Sequence, residues 1–175
     1  MSQLEHLWAG WRQAYVKGVD IDEQALEPAL ISEGHSVFTA IEKSNLPDEE
    51  SFVLHRGETC FVVLNLFPYT TGHTLVLPKV PHKSLTDLTQ SEYVELWATV
   101  RDAVTAIECS YVPDGVNIGL NLGKAAGAGI PDHLHVHCVP RWLGDTNFMT
   151  AISGTRVLPE VLGESWKRLK ENWPA

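Results

Sequence analysis

The sequence predicts an α+β domain built on a mainly antiparallel sheet of about five strands, with one long helix and a C-terminal helix. Three observations lead there. Short apolar runs separated by turn residues succeed one another between positions 52 and 78. A long segment with helical spacing then opens on a capping box, and two more strand-like runs follow it. A parallel doubly wound sheet needs a crossover helix between successive strands, and this order supplies too few.

Taken in order, residues 1–34 read as an arm, whose Leu7-Trp8-Ala9-Gly10-Trp11 opening is aromatic without clean periodicity and packs on the body or on a partner subunit. Ser36 to Glu42 reads as a short helix, closed by the turn chemistry of Asn45-Leu46-Pro47-Asp48. Phe52 to Arg56, Thr59 to Leu66 and His73 to Pro78 form a meander, with Gly57-Glu58 as a tight turn and Pro68 to Gly72 as a longer loop. Thr89-Gln90-Ser91-Glu92 caps a helix ending near Glu108, in which Tyr93, Leu96, Trp97, Val100, Val104 and Ile107 recur on one face. Pro113-Asp114-Gly115 turns the chain into a strand over Val116 to Leu122, and a glycine-rich loop leads to a strand over Asp132 to Pro140. A helix from about Pro159 to Trp173 closes the chain, with proline suited to its first turn. Nothing marks a linker or a repeat, so residues 1–175 are read as one domain with its core at about 50–150.

Composition narrows the function. A net charge of −9, with only 13 Lys and Arg scattered along the chain, argues against a general nucleic-acid binder, because counterion release needs a clustered basic surface. The longest apolar runs, such as Cys60 to Leu64, are too short to span a bilayer, and no basic segment precedes an apolar one at the start. No membrane association and a cytoplasmic location are therefore expected. Cys60, Cys109 and Cys138 are odd in number and widely spaced, which fits reduced thiols better than a disulfide framework or a metal knuckle.

The chemistry concentrates in His133-Leu134-His135-Val136-His137. On a strand the three imidazoles share one face, ~6.6 Å apart, while Leu134, Val136 and Cys138 face the core. That spacing suits a metal or a phosphate. Just upstream, Asn121 to Gly129 is rich in glycine, and its backbone N–H groups, with Lys124 nearby, are suited to an anion-binding nest. A catalytic zinc site would want three ligands and an open position, and the acidic candidates Asp132 and Asp145 are not placed by sequence. The glycines tilt the reading toward phosphate.

The run His133 to Val139 resembles the His-φ-His-φ-His-φ-φ signature, φ being apolar, of the histidine triad family. Asn65-Leu66-Phe67-Pro68-Tyr69-Thr70-Thr71-Gly72-His73 is similar to that family's N-x-x-P-x-x-x-G-H loop, and Pro140 to Met149 resembles the branch containing bacterial diadenosine tetraphosphate phosphorylases. The resemblance implies a homodimer that binds nucleotides and cleaves dinucleoside polyphosphates by covalent catalysis. His135 would be the nucleophile, His137 would contact the phosphate and leaving-group oxygen, and His73 would sit beside the phosphates. Asn65 would hold the ribose hydroxyls, Asn121 would donate to developing charge, Gly127 and Gly129 would line the phosphate, and Trp142 would stack on a base or close the core.

Two departures shape the remaining expectations. Many relatives carry Cys-x-x-Cys where this chain has His35-Ser36-Val37-Phe38, so a complete structural zinc site is not expected, and His35, His82 and His133 are the remaining candidate ligands. Ala128-Gly129 stands where the phosphorylase-like proteins tend to have Gly-Ser, which makes water a rival to phosphate as acceptor. No cofactor is expected for the covalent step, although magnesium can screen substrate phosphates. A nucleoside phosphoramidate hydrolase, a non-catalytic nucleotide sensor and a metal-dependent hydrolase stay open as alternatives.

Overall fold

The computed structural model describes residues 36–145 and 158–174, so the arm with Trp8 and Trp11, and also His35, lie outside the described residues. Two short helices, α1 (Val37–Lys43) and α2 (Asp48–Ser51), lead into the strands β1 (Val53–Arg56), β2 (Cys60–Leu64) and β3 (Thr74–Pro78). Helix α3 (Gln90–Tyr111) separates this meander from β4 (Gly115–Gly119) and β5 (Val136–Arg141), and α4 (Leu162–Glu171) follows. The strands form one five-stranded sheet in the order β1-β2-β3-β5-β4, antiparallel at every junction. The expected class and element order are those observed.

Local chemistry explains the elements. Ser36 is the N-cap of α1, and its hydroxyl accepts the Thr39 N–H. Thr89 and Glu92 close the capping box of α3 from both sides. Strands β2 and β3 are apolar on both faces and buried along their whole length. Helix α3 packs across β2, β3 and β5, and it buries Leu96, Val100, Ala103, Ala106 and Ile107. Alanines at 103 and 106 let the helix approach the sheet closely. Tyr93, expected on this stripe, is exposed one turn before it and leans edge-on against Trp97.

Other boundaries differ in informative ways. The C-terminal helix begins at Leu162, with Pro159 ahead of it rather than in its first turn. The triad segment departs more: β5 starts at Val136, so His133 and His135 precede the ladder instead of alternating along it. Leu134, Val136 and Cys138 do enter the core, but His133 and His135 are buried as well. The β3–β5 ladder ends at the Val76–Val136 pair, although β3 itself continues through Leu77 and Pro78, which pair with β2.

The two sheet edges are treated differently. Along β1, Trp166 and Lys170 of α4 donate to the carbonyls of Val53 and Leu54 at 2.9 and 2.8 Å, and Trp173 stacks on His55. Among the described residues nothing comparable covers β4, whose Gly115, Asn117, Ile118 and Gly119 are exposed.

One strained position offers a test. Val112, at the end of α3, adopts φ 44° and ψ 54° with its side chain 82% exposed. A β-branched residue crowds its own carbonyl in this left-handed region, whereas glycine does not. Val112→Gly is expected to raise stability by about 1 kcal/mol, read as a higher urea midpoint at unchanged m-value. A lower midpoint would show that the strain is not released.

Candidate active site

The loop between β2 and β3 builds one wall of the site. Its ends are tied by the Asn65 N–H donating to the His73 carbonyl at 2.9 Å. The Asn65 amide oxygen accepts from the Phe67 N–H, and its amide nitrogen lies 3.3 Å from His73 Nδ1. Gly72 turns the chain at φ 77°, and a Cβ there would stand 2.5 Å from the Tyr111 ring. Both the backbone angle and the aromatic neighbour therefore require glycine. Asn65, expected to reach ribose, uses its side chain first to shape this loop and hold His73.

Hydrogen bonds fix the proton positions on four histidines. The Tyr69 N–H donates to His73 Nδ1 at 3.1 Å, so a neutral His73 carries its proton on Nε2 and donates it to His137 Nδ1, 3.0 Å away. The proton of neutral His137 is thereby placed on Nε2, a buried atom with no partner among the described residues. His135 Nδ1 donates to the His133 carbonyl at 2.8 Å, which leaves its Nε2 as a bare lone pair. His133 Nε2 donates to the Pro78 carbonyl at 2.8 Å, and its Nδ1 accepts from the Ser36 hydroxyl at 2.5 Å.

Burial favours the neutral form of His137 and of His133. His137 is pushed down to about 4, first by burial and then by His135 beside it, and burial likewise lowers His133. The rings of His135 and His137 meet edge-on at 4.9 Å, while Tyr69 stacks on His137 at 5.8 Å and lies tilted by 41° against His73 at 4.7 Å. With Nδ1 as the donor to the His133 carbonyl, the other ring nitrogen of His135 offers a lone pair beside the Nε2–H of His137, which has no partner among the described residues, an arrangement that can attack a phosphorus centre and donate to its oxygens.

Beside His137 opens a cleft of about 1110 Å³. Its lining brings together Asn121, Trp142, Tyr69, Thr71, Arg141 and Arg168. Trp142 meets Tyr111 edge-on at 6.3 Å and forms part of the cleft wall. The glycine-rich loop behaves differently from the expected nest, because the N–H groups of Ala126, Gly127 and Ala128 all donate to the loop's own carbonyls at Gly123 and Lys124. Gly127 is needed for its φ of 92° and lies next to the Asn121 amide, whereas Gly129 is exposed with open space around its Cα.

Of the candidate zinc ligands, His35 lies outside the described residues, and the other two bond to protein groups. Both ring nitrogens of His133 are engaged by Ser36 and Pro78, and His82 Nε2 lies 3.2 Å from a Glu92 carboxylate oxygen. No group of three His, Cys, Asp or Glu suited to a metal occurs among the described residues. Asp132 pairs with Lys83 and Asp145 with Arg141, so neither joins the triad. Ser36, Phe38 and Tyr69 are contacts that the sequence reading did not assign to the site. Phe38 packs against the rings of both His133 and His135, at 5.5 and 5.3 Å. For Tyr69 the signal was available, an aromatic at the tip of the Asn65 to His73 loop; for Ser36 only its place at the start of a short helix was visible.

A pH dependence follows. Because His137 has a folded-state value of about 4 against an ordinary 6.5, its neutral form supports the fold fully above about pH 6.5, and this support is lost as pH falls toward 4. Urea midpoints of the native protein are expected to drop across this window, with a shallower drop for His137→Gln. Parallel curves for the two proteins would show that His137 is not responsible.

The HIT domain model matches residues 47–142, more than half of the chain. The chain is 40% identical over 171 residues to the AP-4-A phosphorylase of Mycobacterium tuberculosis, covering 98% of this chain and 85% of that protein. It is 38% identical over 95 residues to the asymmetrical bis(5'-nucleosyl)-tetraphosphatase of Schizosaccharomyces pombe, covering 54% and 52% of the two chains. A zinc-bound histidine triad family protein from Mycobacterium smegmatis superimposes with a TM-score of 0.62 at 33% identity, over 78% of this chain and 91% of that one. Sequence, fold and the buried histidine network agree, and the chain belongs to the HIT domain family.

Proposed function

We propose that this protein is an enzyme that cleaves dinucleoside polyphosphates, diadenosine tetraphosphate in the first instance, through a nucleotidyl-histidine intermediate. The observation that carries the reading is the bare Nε2 of His135, held in that tautomer by its Nδ1–H bond to the His133 carbonyl. The names of the relatives from Mycobacterium tuberculosis and Schizosaccharomyces pombe support the substrate class.

In the first step the Nε2 lone pair attacks an α-phosphorus, a P–N bond forms, and the P–O bond to the departing nucleoside polyphosphate breaks. The Nε2–H of His137, oriented by His73, donates to the phosphate or leaving-group oxygen where negative charge grows. In the second step a phosphate or a water oxygen attacks the same phosphorus, the P–N bond breaks, and His135 regains its lone pair. Asn121 lines the cleft next to His137 and is assigned a contact to the phosphate chain, and Trp142 and Tyr69 are assigned to a base. Gly127 lies beside Asn121, and Gly129 leaves the approach open. The covalent step needs no metal, and magnesium serves the substrate phosphates. His133 is structural, with both nitrogens committed to the protein.

The same reading includes a homodimer formed through β4. This edge has exposed Ile118, no proline and no lysine within Gly115–Gly119, so it lacks the usual protection against pairing. No described helix is long and apolar enough to cross a membrane, and the three cysteines are free thiols. With a nucleotide substrate, this supports a cytoplasmic location.

The deciding experiment offers diadenosine tetraphosphate to the purified protein with and without inorganic phosphate and identifies the products. ADP plus ATP in the presence of phosphate means phosphorolysis, whereas AMP plus ATP, or ADP alone, means hydrolysis. Cleavage of a nucleoside phosphoramidate with no turnover of any dinucleotide would replace the proposal. His135→Ala is expected to lower turnover by at least about a thousandfold while nucleotide affinity changes by less than about tenfold. Ile118→Asp is expected to yield monomers in sedimentation experiments, and an unchanged dimer would place the interface elsewhere.

A further inference from the structure

His133 and His135 precede the β-ladder, so sheet hydrogen bonds do not hold the nucleophile. Besides a local turn bond from the His133 N–H to the Ile130 carbonyl, three bonds from farther along the chain anchor the segment: Leu134 N–H to the His82 carbonyl at 2.7 Å, His133 Nε2–H to the Pro78 carbonyl at 2.8 Å, and the Ser36 hydroxyl to His133 Nδ1 at 2.5 Å. The first two come from the end of β3 and the chain just after it. The third comes from a distant segment, 97 residues away in sequence.

The Ser36 contact is directional. Because Pro78 offers only a carbonyl, His133 Nε2 must carry the proton, Nδ1 must accept, and Ser36 must donate. The serine oxygen accepts from the Thr39 N–H at the same time, so the start of α1 and the triad are locked by one atom. Phe38, two residues on, fills the space against both imidazoles. A ring held at both nitrogens and at its edge cannot rotate, and its own carbonyl is the acceptor that sets the His135 tautomer. His133 is fully buried, so loss of the serine donor would leave Nδ1 unsatisfied and favour a shift of the ring or of the local backbone.

We propose that Ser36 is a positioning residue for the nucleophile, its hydroxyl holding His133 so that the His133 carbonyl keeps the proton of His135 on Nδ1 and its Nε2 bare. The proposal rests on His135 being the nucleophile. It also assigns Ser36, capping from α1, the role of fixing this ring without a metal ligand.

Four variants separate the possibilities. Ser36→Gly removes the donor but keeps most of an N-cap's value, Ser36→Ala removes donor and cap, Ser36→Thr retains both, and His135→Ala tests the underlying reading. Single-turnover formation of the nucleotidyl-enzyme from diadenosine tetraphosphate is measured for each, alongside ¹⁵N spectra of the histidine rings. Ser36→Gly and Ser36→Ala are expected to slow formation similarly, by roughly tenfold to a hundredfold, with substrate affinity within about twofold, and Ser36→Thr is expected to recover most of the rate. The spectra of the glycine and alanine variants should show a His135 population protonated on Nε2, a signature that a simple loss of helix stability would not produce. A rate within twofold of native for Ser36→Gly, with the His135 ring still wholly protonated on Nδ1, would overturn the role of Ser36. Retained turnover in His135→Ala would instead overturn the nucleophile, and with it the proposal.

Discussion

The hydrogen bond from His135 Nδ1–H to the His133 carbonyl is the constraint on which the proposed reactivity of this protein depends. A neutral imidazole can hold its proton on either nitrogen, and in water both tautomers are populated. Giving Nδ1 an acceptor that cannot itself donate removes that freedom and leaves Nε2 available for attack. The acceptor belongs to the residue two positions earlier, so the bond is local in sequence. Its geometry is not local, because the carbonyl is aimed by contacts of the His133 ring with Pro78 and Ser36.

A second, separate chain of bonds sets the proton on His137. It runs from the Tyr69 N–H through His73 to His137, and it is held by the Asn65 to His73 loop. Gly72 is the point at which this loop touches the long helix, since Tyr111 occupies the space any larger residue would need. The two chains end on imidazoles packed edge-on at 4.9 Å, one with a bare nitrogen and the other with an unpaired N–H. Burial keeps His137 neutral, which prevents the like-charge repulsion that two imidazoliums at this distance would suffer.

The surroundings offer little net positive charge for an anionic substrate. Arg141 and Arg168 both line the cleft, but Asp145 pairs with the first and Glu160 with the second. In a chain of net charge −9, phosphate must then be met mainly by oriented N–H and amide donors, whose contribution grows in a site shielded from water. The two sheet edges also differ. Helix α4 covers β1 with donated hydrogen bonds, and β4 is left with an exposed apolar side chain at Ile118.

Much of the fold was legible because its signals are short-range. Short apolar runs and turn residues mark the meander, and the Thr89 to Glu92 box with its apolar stripe marks α3. The triad and the Asn65 to His73 loop were legible too, since their spacings are part of the sequence itself. Tertiary structure decided what each residue uses its atoms for. It ended the ladder at Val136 and buried His133 and His135 ahead of it, where the His82 and Pro78 carbonyls hold the segment in place of strand pairing. It turned the N–H groups of the glycine loop inward and drew Asn65 into holding His73. It brought Ser36 across 97 residues to His133, a contact that no local spacing encodes. Sequence by itself determined which chemical groups are available and which local elements carry them. Only the packed structure decided the proton positions, because a tautomer is fixed by the partner on the opposite nitrogen, and here most of those partners come from elsewhere in the chain.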